Sequence, residues 1–215
     1  MEIMEKIFFN PERAEIRNLV FDLGGVLVDL DAQSCKNAFC KIGAKDIVTL
    51  WPNKQLEDIV NKANIGQLDT HSFCQEIRHA ANISTRDEDI IWAWNQMLGS
   101  IKDAKKEKLI ILHKKYRIFL LSNTNDIHWN KCAEDLFPMR NYVAEDYFEK
   151  IFLSYEMNLL KPDPSIFEHV ILEGDINPLE TIFIDDTIEN CKIAHQLGFN
   201  VLQETSGEDW MEYFK

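Results

Sequence analysis

No uninterrupted apolar run in the 215-residue sequence approaches the ~20 residues of a membrane-spanning helix, so a membrane protein is not expected. Basic residues are also in short supply. Lys and Arg number 23 against 36 Asp and Glu, a net charge of −13, which argues against nucleic acid or an anionic membrane surface as a partner. Both need a cationic field. Cysteine is sparse and scattered: Cys35, Cys40, Cys74, Cys132 and Cys191 are odd in number and include no C-x-x-C pair. That pattern favours reduced thiols packed as small hydrophobes in a cytoplasmic protein over disulfides or a zinc site. Residues 1–18, MEIMEKIFFNPERAEIRN, scatter charges where a leader would carry an apolar core, so no signal peptide is expected. Internal repeats and low-complexity tracts are lacking too. What is present, 46% hydrophobic residues, is enough for a sizeable core and too much for disorder.

Five short apolar runs rich in β-branched and aromatic residues read as buried strands: Asn18 to Leu23, Arg117 to Ser122, Lys150 to Ser154, Thr181 to Asp185 and Asn200 to Gln203. Helical segments lie between the later ones. Thr124 or Asn125 is placed to cap a helix towards Phe137, and Asp163-Pro164 opens another through Phe167, Val170 and Ile171. A third runs from about Ile188 to Leu197, with Gly198 as its left-handed stop. Strand alternating with helix implies an α/β core with a parallel sheet covered on both faces. The interval from Ala32 to Tyr116 breaks the rhythm. It carries only helical patterns: a stripe of Leu56, Ile59, Val60 and Ala63, another of Phe73, Ile77 and Ala80, and a third with Ile90, Ile91, Trp94, Met97 and Leu98. Thr85 with Glu88 fits a capping box for the third helix, and Gly99 fits its end. So long a segment exceeds a structureless crossover. The division expected is a Rossmann-like core over 1–31 and 117–215, with an inserted helical domain over 32–116. A short amphipathic helix carrying Trp210 and Phe214 is expected in the final segment, 206–215.

Polar residues collect at the ends of these apolar strands. The first ends in Phe21-Asp22-Leu23-Gly24-Gly25, and an unpaired buried carboxylate there would cost several kcal/mol. Asp22 therefore either faces a cation, backbone donors or a reactant, or merely caps a turn. The run at 181–185 ends in Asp185-Asp186-Thr187, with Asn190 following. At ~4 Å and an effective dielectric of about 20, each pair of like charges costs about 4 kcal/mol, so convergence of Asp22 on these acids would call for a divalent cation. All-oxygen ligation without His or Cys points to magnesium. Ser122-Asn123-Thr124 offers hydroxyl, amide and backbone donors at a strand-to-helix junction suited to anions. Lys161, held between Leu160 and Pro162, could neutralise a phosphoryl group if it reaches the acids, and is otherwise a solvated surface lysine.

The ordered set Asp22-Leu23-Gly24-Gly25-Val26-Leu27, Leu121-Ser122-Asn123, Lys161-Pro162-Asp163-Pro164 and Ile184-Asp185-Asp186 resembles the four motifs of the haloacid dehalogenase-like (HAD) hydrolases. The helical insertion after the first motif resembles the C1 cap of that group. The resemblance implies a HAD-like fold and a magnesium-dependent phosphatase acting on a small phosphorylated metabolite such as a sugar phosphate. Asp22 would be the nucleophile, forming an aspartyl-phosphate that water hydrolyses. Asp22, the Gly24 carbonyl and Asp186 would hold Mg2+, with Asp185 a direct or water-mediated ligand. Ser122, Asn123 and Lys161 would hold the phosphoryl oxygens, and Asn190 would orient the metal-binding loop. One departure stands out. Most phosphatases of the superfamily carry an acid two residues after the nucleophile as a proton shuttle, where this sequence has Gly24. Either the substrate has a good leaving group, such as an anomeric sugar phosphate, or water or a nearby acid acts instead, with Asp29 and Asp31 as weak candidates. A metal-independent haloacid dehalogenase and a catalytically retired binding domain are the competing readings. Trp94, Asn95 and Met97 are expected in the core, His128 and Trp129 on a helix surface or interface, and Arg78 either selects an anionic substrate or lies on a solvated face.

Overall fold

A computed structural model describes residues 7–12, 14–49 and 54–215. The stretch read for a leader begins in residues 1–6, which lie outside the described residues. In chain order the elements are β1 (Ile7–Phe8), β2 (Asn18–Phe21), α1 (Ala32–Lys41), α2 (Lys45–Thr49), α3 (Lys54–Asn64), α4 (Thr70–Ala81), α5 (Asp87–Asn95) and α6 (Asp103–Leu112). They continue as β3 (Arg117–Ser122), α7 (Asp126–Lys131), β4 (Lys150–Leu153), α8 (Ser154–Met157), α9 (Pro164–Gly174), β5 (Thr181–Asp185), α10 (Ile188–Gln196), β6 (Asn200–Gln203) and α11 (Asp209–Tyr213).

The strands form one sheet in the order β1-β6-β5-β2-β3-β4. All pairs are parallel except β1 with β6, an antiparallel edge that its two residues were too few to signal in the sequence. Alternation along the strands sorts the core into two layers. Leu19, Phe21, Ile118, Leu120, Ile182 and Ile184 point to one face, where Leu109, Trp129, Phe137, Tyr147 and Trp210 cover them. Val20, Phe119, Leu121 and Phe183 point to the other and meet Ile166, Phe167 and Val170 of α9 with Cys191 and Ala194 of α10. Phe167 and Phe183 pack edge to face at 5.3 Å, an arrangement that aromatic quadrupoles favour. The cysteines are free thiols, four of them buried.

Helices α1 to α5 build a separate core around Phe39, Ile59, Phe73, Ile77, Ile90 and Trp94. Asp31 and Asp69 cap α1 and α4 by accepting the backbone N–H of Ser34 and Ser72. The capping box expected at Thr85 does not form: the Thr85 hydroxyl donates to Ile42 O, and α5 starts after Arg86 with no side-chain cap. Asp87, Glu88 and Asp89 complement the helix dipole there instead. Gly99 is not a helix stop either. It belongs to a narrow neck in which the chain entering and leaving the helical segment pairs with itself, through Gly99 N to Asp29 O (2.7 Å), Asp29 N to Ser100 O (3.2 Å) and Asp31 N to Met97 O (2.8 Å). Helix α6 lies beyond the neck, and its Leu109 and Leu112 join the layer beneath the sheet.

Candidate active site

Strand register assembles the site. β2 lies between β3 and β5, with Phe21 opposite Leu120 and Ile184, so the next residue, Asp22, emerges beside the ends of both neighbours. Its backbone N–H donates to Ile184 O at 2.8 Å. This carboxyl edge of a parallel sheet is where open α/β folds bind ligands.

Lys161 reaches into the cluster from the turn before α9. Its buried Nζ donates to Asp22 Oδ1 (2.8 Å), Asp185 Oδ2 (2.7 Å) and Leu121 O (2.9 Å), which uses all three ammonium donors. The alternative of a solvated surface lysine is thereby set aside. Asp185, fully buried, also accepts from Asn190 Nδ2 (2.9 Å) and from the Thr187 N–H (2.8 Å). Asp186, the next residue, is exposed on the cleft side. Carboxylate oxygens of Asp22, Asp185 and Asp186 lie within 4.8 Å of one another. Three carboxylates against one ammonium leave a charge of −2 when all are ionised, which is what a hard divalent cation with oxygen ligands would neutralise. The electrostatics agree. Burial pushes the Asp22 carboxyl up to about 7, with Lys161 opposing and Asp185 adding to the rise. Burial also raises Asp186, again helped by Asp185. Burial disfavours the Lys161 charge as well, but Asp185 and Asp22 outweigh it and hold the ammonium protonated.

Glycines shape the loop around this cluster. Gly25 has φ +73°, and a Cβ there would overlap the Asp186 carboxylate, so the loop can approach Asp186 only without a side chain. A Cβ on Gly24 would stand 3.1 Å from Leu30 Cδ1, so the half-exposed Leu30 side chain would have to shift slightly to admit an acid at position 24. Of the two acids weighed as substitutes, Asp31 caps α1, and Asp29, 3.6 Å from Lys105 Nζ, lines a cavity shared with Gly25 and Asp186.

Ser122 is buried at the end of β3, and Asn123 is exposed just beyond. The Asn123 side chain is spent on the Lys161 backbone: Nδ2 donates to Lys161 O (2.8 Å) and Oδ1 accepts from Lys161 N (2.9 Å). That leaves the Asn123 backbone N–H, rather than its side chain, to face an anion. Sequence reasoning missed Ser154, whose hydroxyl accepts from Thr124 N (2.9 Å) and donates to Thr124 O (3.0 Å), clamping the same loop. A small polar residue at a strand end was the one available signal.

Between the sheet edge and the helical segment lies a cavity of about 170 Å³, bordered by Gly24, Ser122 and Asn123 on one side and by Asn64, Trp94 and Met97 on the other. Polar contacts cross its rim: Asn125 Nδ2 to Asn64 Oδ1 (3.0 Å), Thr70 Oγ1 to Asp126 Oδ2 (2.6 Å) and Asn158 Nδ2 to Ile65 O (2.8 Å). Trp94 and Met97, expected in the core, pack there and also line the cavity. His128 is not a helix-surface residue: it is half-buried, lines the cavity and stacks on Trp94. Trp129 is buried under the sheet, and Arg78 is paired with Asp87 within the helical segment.

The chain is 32% identical over 197 residues to a D-ribitol-5-phosphate phosphatase of Bacteroides thetaiotaomicron, an alignment covering 92% of this chain and 96% of the relative. A crystal structure of a HAD family enzyme from Bacteroides thetaiotaomicron, in complex with magnesium and inorganic phosphate, superposes with a TM-score of 0.89 at 42% identity. That match covers 93% of this chain and 100% of the other. The L-2-haloacid dehalogenase of Xanthobacter autotrophicus shares the fold, with a TM-score of 0.59 and 22% identity over 86% of this chain and 76% of that one. The family model of haloacid dehalogenase-like hydrolases matches residues 16–198, and the chain belongs to that family.

Proposed function

We propose that the protein is a magnesium-dependent phosphatase of a small phosphorylated metabolite, of the sugar-phosphate class. The observation that carries this reading is the convergence of Asp22, Asp185 and Asp186 around a single buried ammonium, Lys161. The phosphatase activity of the relative and the magnesium and phosphate bound by the neighbouring structure support it.

Asp22 attacks phosphorus in line and the P–O bond to the substrate breaks, the departing alkoxide taking its proton from water because position 24 carries no acid; water then attacks the aspartyl-phosphate, gives up its proton to solvent, and inorganic phosphate leaves with the Asp22 carboxylate restored. Lys161 fixes the attacking carboxylate through Oδ1 and supplies positive charge where the transferring group gathers negative charge. Ser122 and the Asn123 backbone N–H hold phosphoryl oxygens, while Asn190 and Thr187 keep the Asp185 carboxylate in place. Mg2+, held by Asp22, the Gly24 carbonyl and Asp186, with Asp185 a ligand directly or through water, would offset the charge of the three acids and the phosphoryl group. Helices α1 to α5 serve as the cap over the cavity. A reduced cytoplasm suits the free, buried thiols, and no described helix is long and apolar enough to cross a membrane.

A screen of sugar and polyol phosphates, nucleotides and an aryl phosphate, with and without Mg2+ and with Asp22→Asn as the blank, tests this reading. Turnover that needs both Mg2+ and Asp22 supports it. Haloacid turnover that persists in excess chelator would replace it with a dehalogenase. No Asp22-dependent turnover at all would favour a retired domain, the reading that Gly24 suggests.

A further inference from the structure

We infer that His128 is a specificity-determining residue that accepts a hydrogen bond from a hydroxyl of the substrate, and that the alcohol part of the substrate is small, hydroxylated and uncharged. This rests on the phosphatase reading and adds the chemistry of the leaving group to it.

The cavity sets the first limit. At about 170 Å³ it falls below the ~300–1,000 Å³ of drug-sized sites, and it abuts Gly24 and Ser122, so whatever fills it is attached to the phosphoryl group. Charge sets the second. Among the described residues that line it there is no Asp, Glu, Lys or Arg, and His128 is the one titratable side chain. A second phosphate or a carboxylate on the substrate would meet no counter-charge there, and an amine would meet none either.

The hydrogen-bonding capacity of the lining sets the third. His128 Nε2 lies 3.1 Å from Trp94 O. A carbonyl only accepts, so Nε2 carries the proton, and in the neutral ring Nδ1 presents a lone pair. Burial depresses the imidazole to about 4, against the pull of the Trp94 carbonyl, so this neutral form prevails near pH 7. The ring is held in orientation by stacking on Trp94, with centroids 4.7 Å apart and planes 8° from parallel. Nδ1 has no protein partner among the described residues and is not sealed from the cavity. Asn64 gives only its Oδ1 to Asn125, so its amide N–H groups stay available in the same lining. An acceptor and a donor within one neutral, partly apolar pocket match the two-way hydrogen bonding of a hydroxyl.

The test separates binding from turnover. In the full chain with Asp22→Asn and Mg2+, calorimetry measures the affinity for ribitol 5-phosphate, for ribonate 5-phosphate, which adds a carboxylate at the far end, and for inorganic phosphate. His128→Phe keeps a ring against Trp94 and removes both nitrogens; it is expected to weaken ribitol 5-phosphate about 10-fold and inorganic phosphate less than 2-fold, with His128→Gln recovering part of the loss. Ribonate 5-phosphate is expected to bind at least 10-fold more weakly than ribitol 5-phosphate. In the Asp22 background, His128→Phe should raise KM for ribitol 5-phosphate. Equal losses for ribitol 5-phosphate and inorganic phosphate, or none for either, would overturn the role of His128. Tighter binding of the carboxylate would overturn the uncharged alcohol. If turnover fails but the binding pattern holds, the phosphatase reading fails alone.

Discussion

Lys161 is the residue on which the acids depend, since it meets Asp22 and Asp185 at once and is itself buried. Removing one member of a buried ionic group leaves uncompensated charge, worth about 3–5 kcal/mol. Lys161→Met should therefore lower stability by about that amount in chemical denaturation without metal, and abolish phosphatase turnover. Gly24→Asp would restore the usual acid. Its Cβ would stand 3.1 Å from Leu30 Cδ1, a contact that the half-exposed Leu30 side chain relieves by shifting a few tenths of an ångström, and the double variant Gly24→Asp with Leu30→Ala removes even that demand, so turnover should not fall in either variant. Denaturation midpoints and aryl phosphate turnover of the three proteins check this. Asp22, Lys161, Asp185 and Asp186 were legible in the sequence because a charge at the end of an apolar strand needs a reason. The Leu30 contact beside Gly24, the Asn123 clamp and the Ser154 clamp were not. They depend on side-chain directions and on contacts between residues 6 to 38 positions apart.

At the scale of elements, α6 holds the loop that follows Asp22. Lys105 is 1% exposed, yet its Nζ donates to Val26 O (2.8 Å) and Leu27 O (3.1 Å), with Asp29 at 3.6 Å. Burial lowers its affinity for the proton, and Asp29 counters that. Lys105→Met would strand two carbonyls away from donors, at about 1–3 kcal/mol each, and let the Gly24-Gly25 loop relax. The expected outcome is a lower unfolding midpoint together with weaker magnesium binding by calorimetry, while Lys105→Arg keeps most of both. The strands were legible from their continuous hydrophobicity, and α7 and α9 from Asn125 and Asp163, which cap them. The place of α6 was not. Its Leu109 and Leu112 look no different in sequence from the apolar residues of the helices before it, and packing beneath the sheet is decided by the neck, whose pairing carries no periodic signal.

For the whole molecule, metal binding and protonation of His128 should move stability in opposite directions. A ligand at about 100 times its dissociation constant adds ~2.7 kcal/mol, and at this chain length each kcal/mol shifts the melting temperature by about 2–4 °C. Saturating Mg2+ should thus raise the melting temperature by about 5–10 °C in calorimetry, chelator should reverse it, and Asp186→Asn should blunt it. Acid acts on two groups with opposite signs: Asp22, raised by burial to about 7, favours the folded metal-free chain when protonated, whereas His128 has a folded-state value of about 4, below its ordinary 6.5. Protonation of His128 favours the unfolded chain, so its contribution is intact above pH 6.5 and is lost as pH falls towards 4, by up to about 3 kcal/mol. His128→Phe should flatten that part of the stability profile. The neck carries a different kind of consequence. Asp29 and Gly99 stand one hydrogen bond apart, and Leu30 bridges Leu98 antiparallel, so the chain leaves and re-enters the sheet domain at a single point. Topologically, everything from 32 to 96 is a cassette. It can be replaced by a tight turn that closes the two neck segments into a hairpin, or by another helical bundle with adjacent termini, with no rethreading of the strands. The part of the cavity lining that lies within 32–96, with Val60, Asn64 and Trp94, can therefore be exchanged in one contiguous piece, while His128, the aspartates and the lysine stay where the sheet domain puts them.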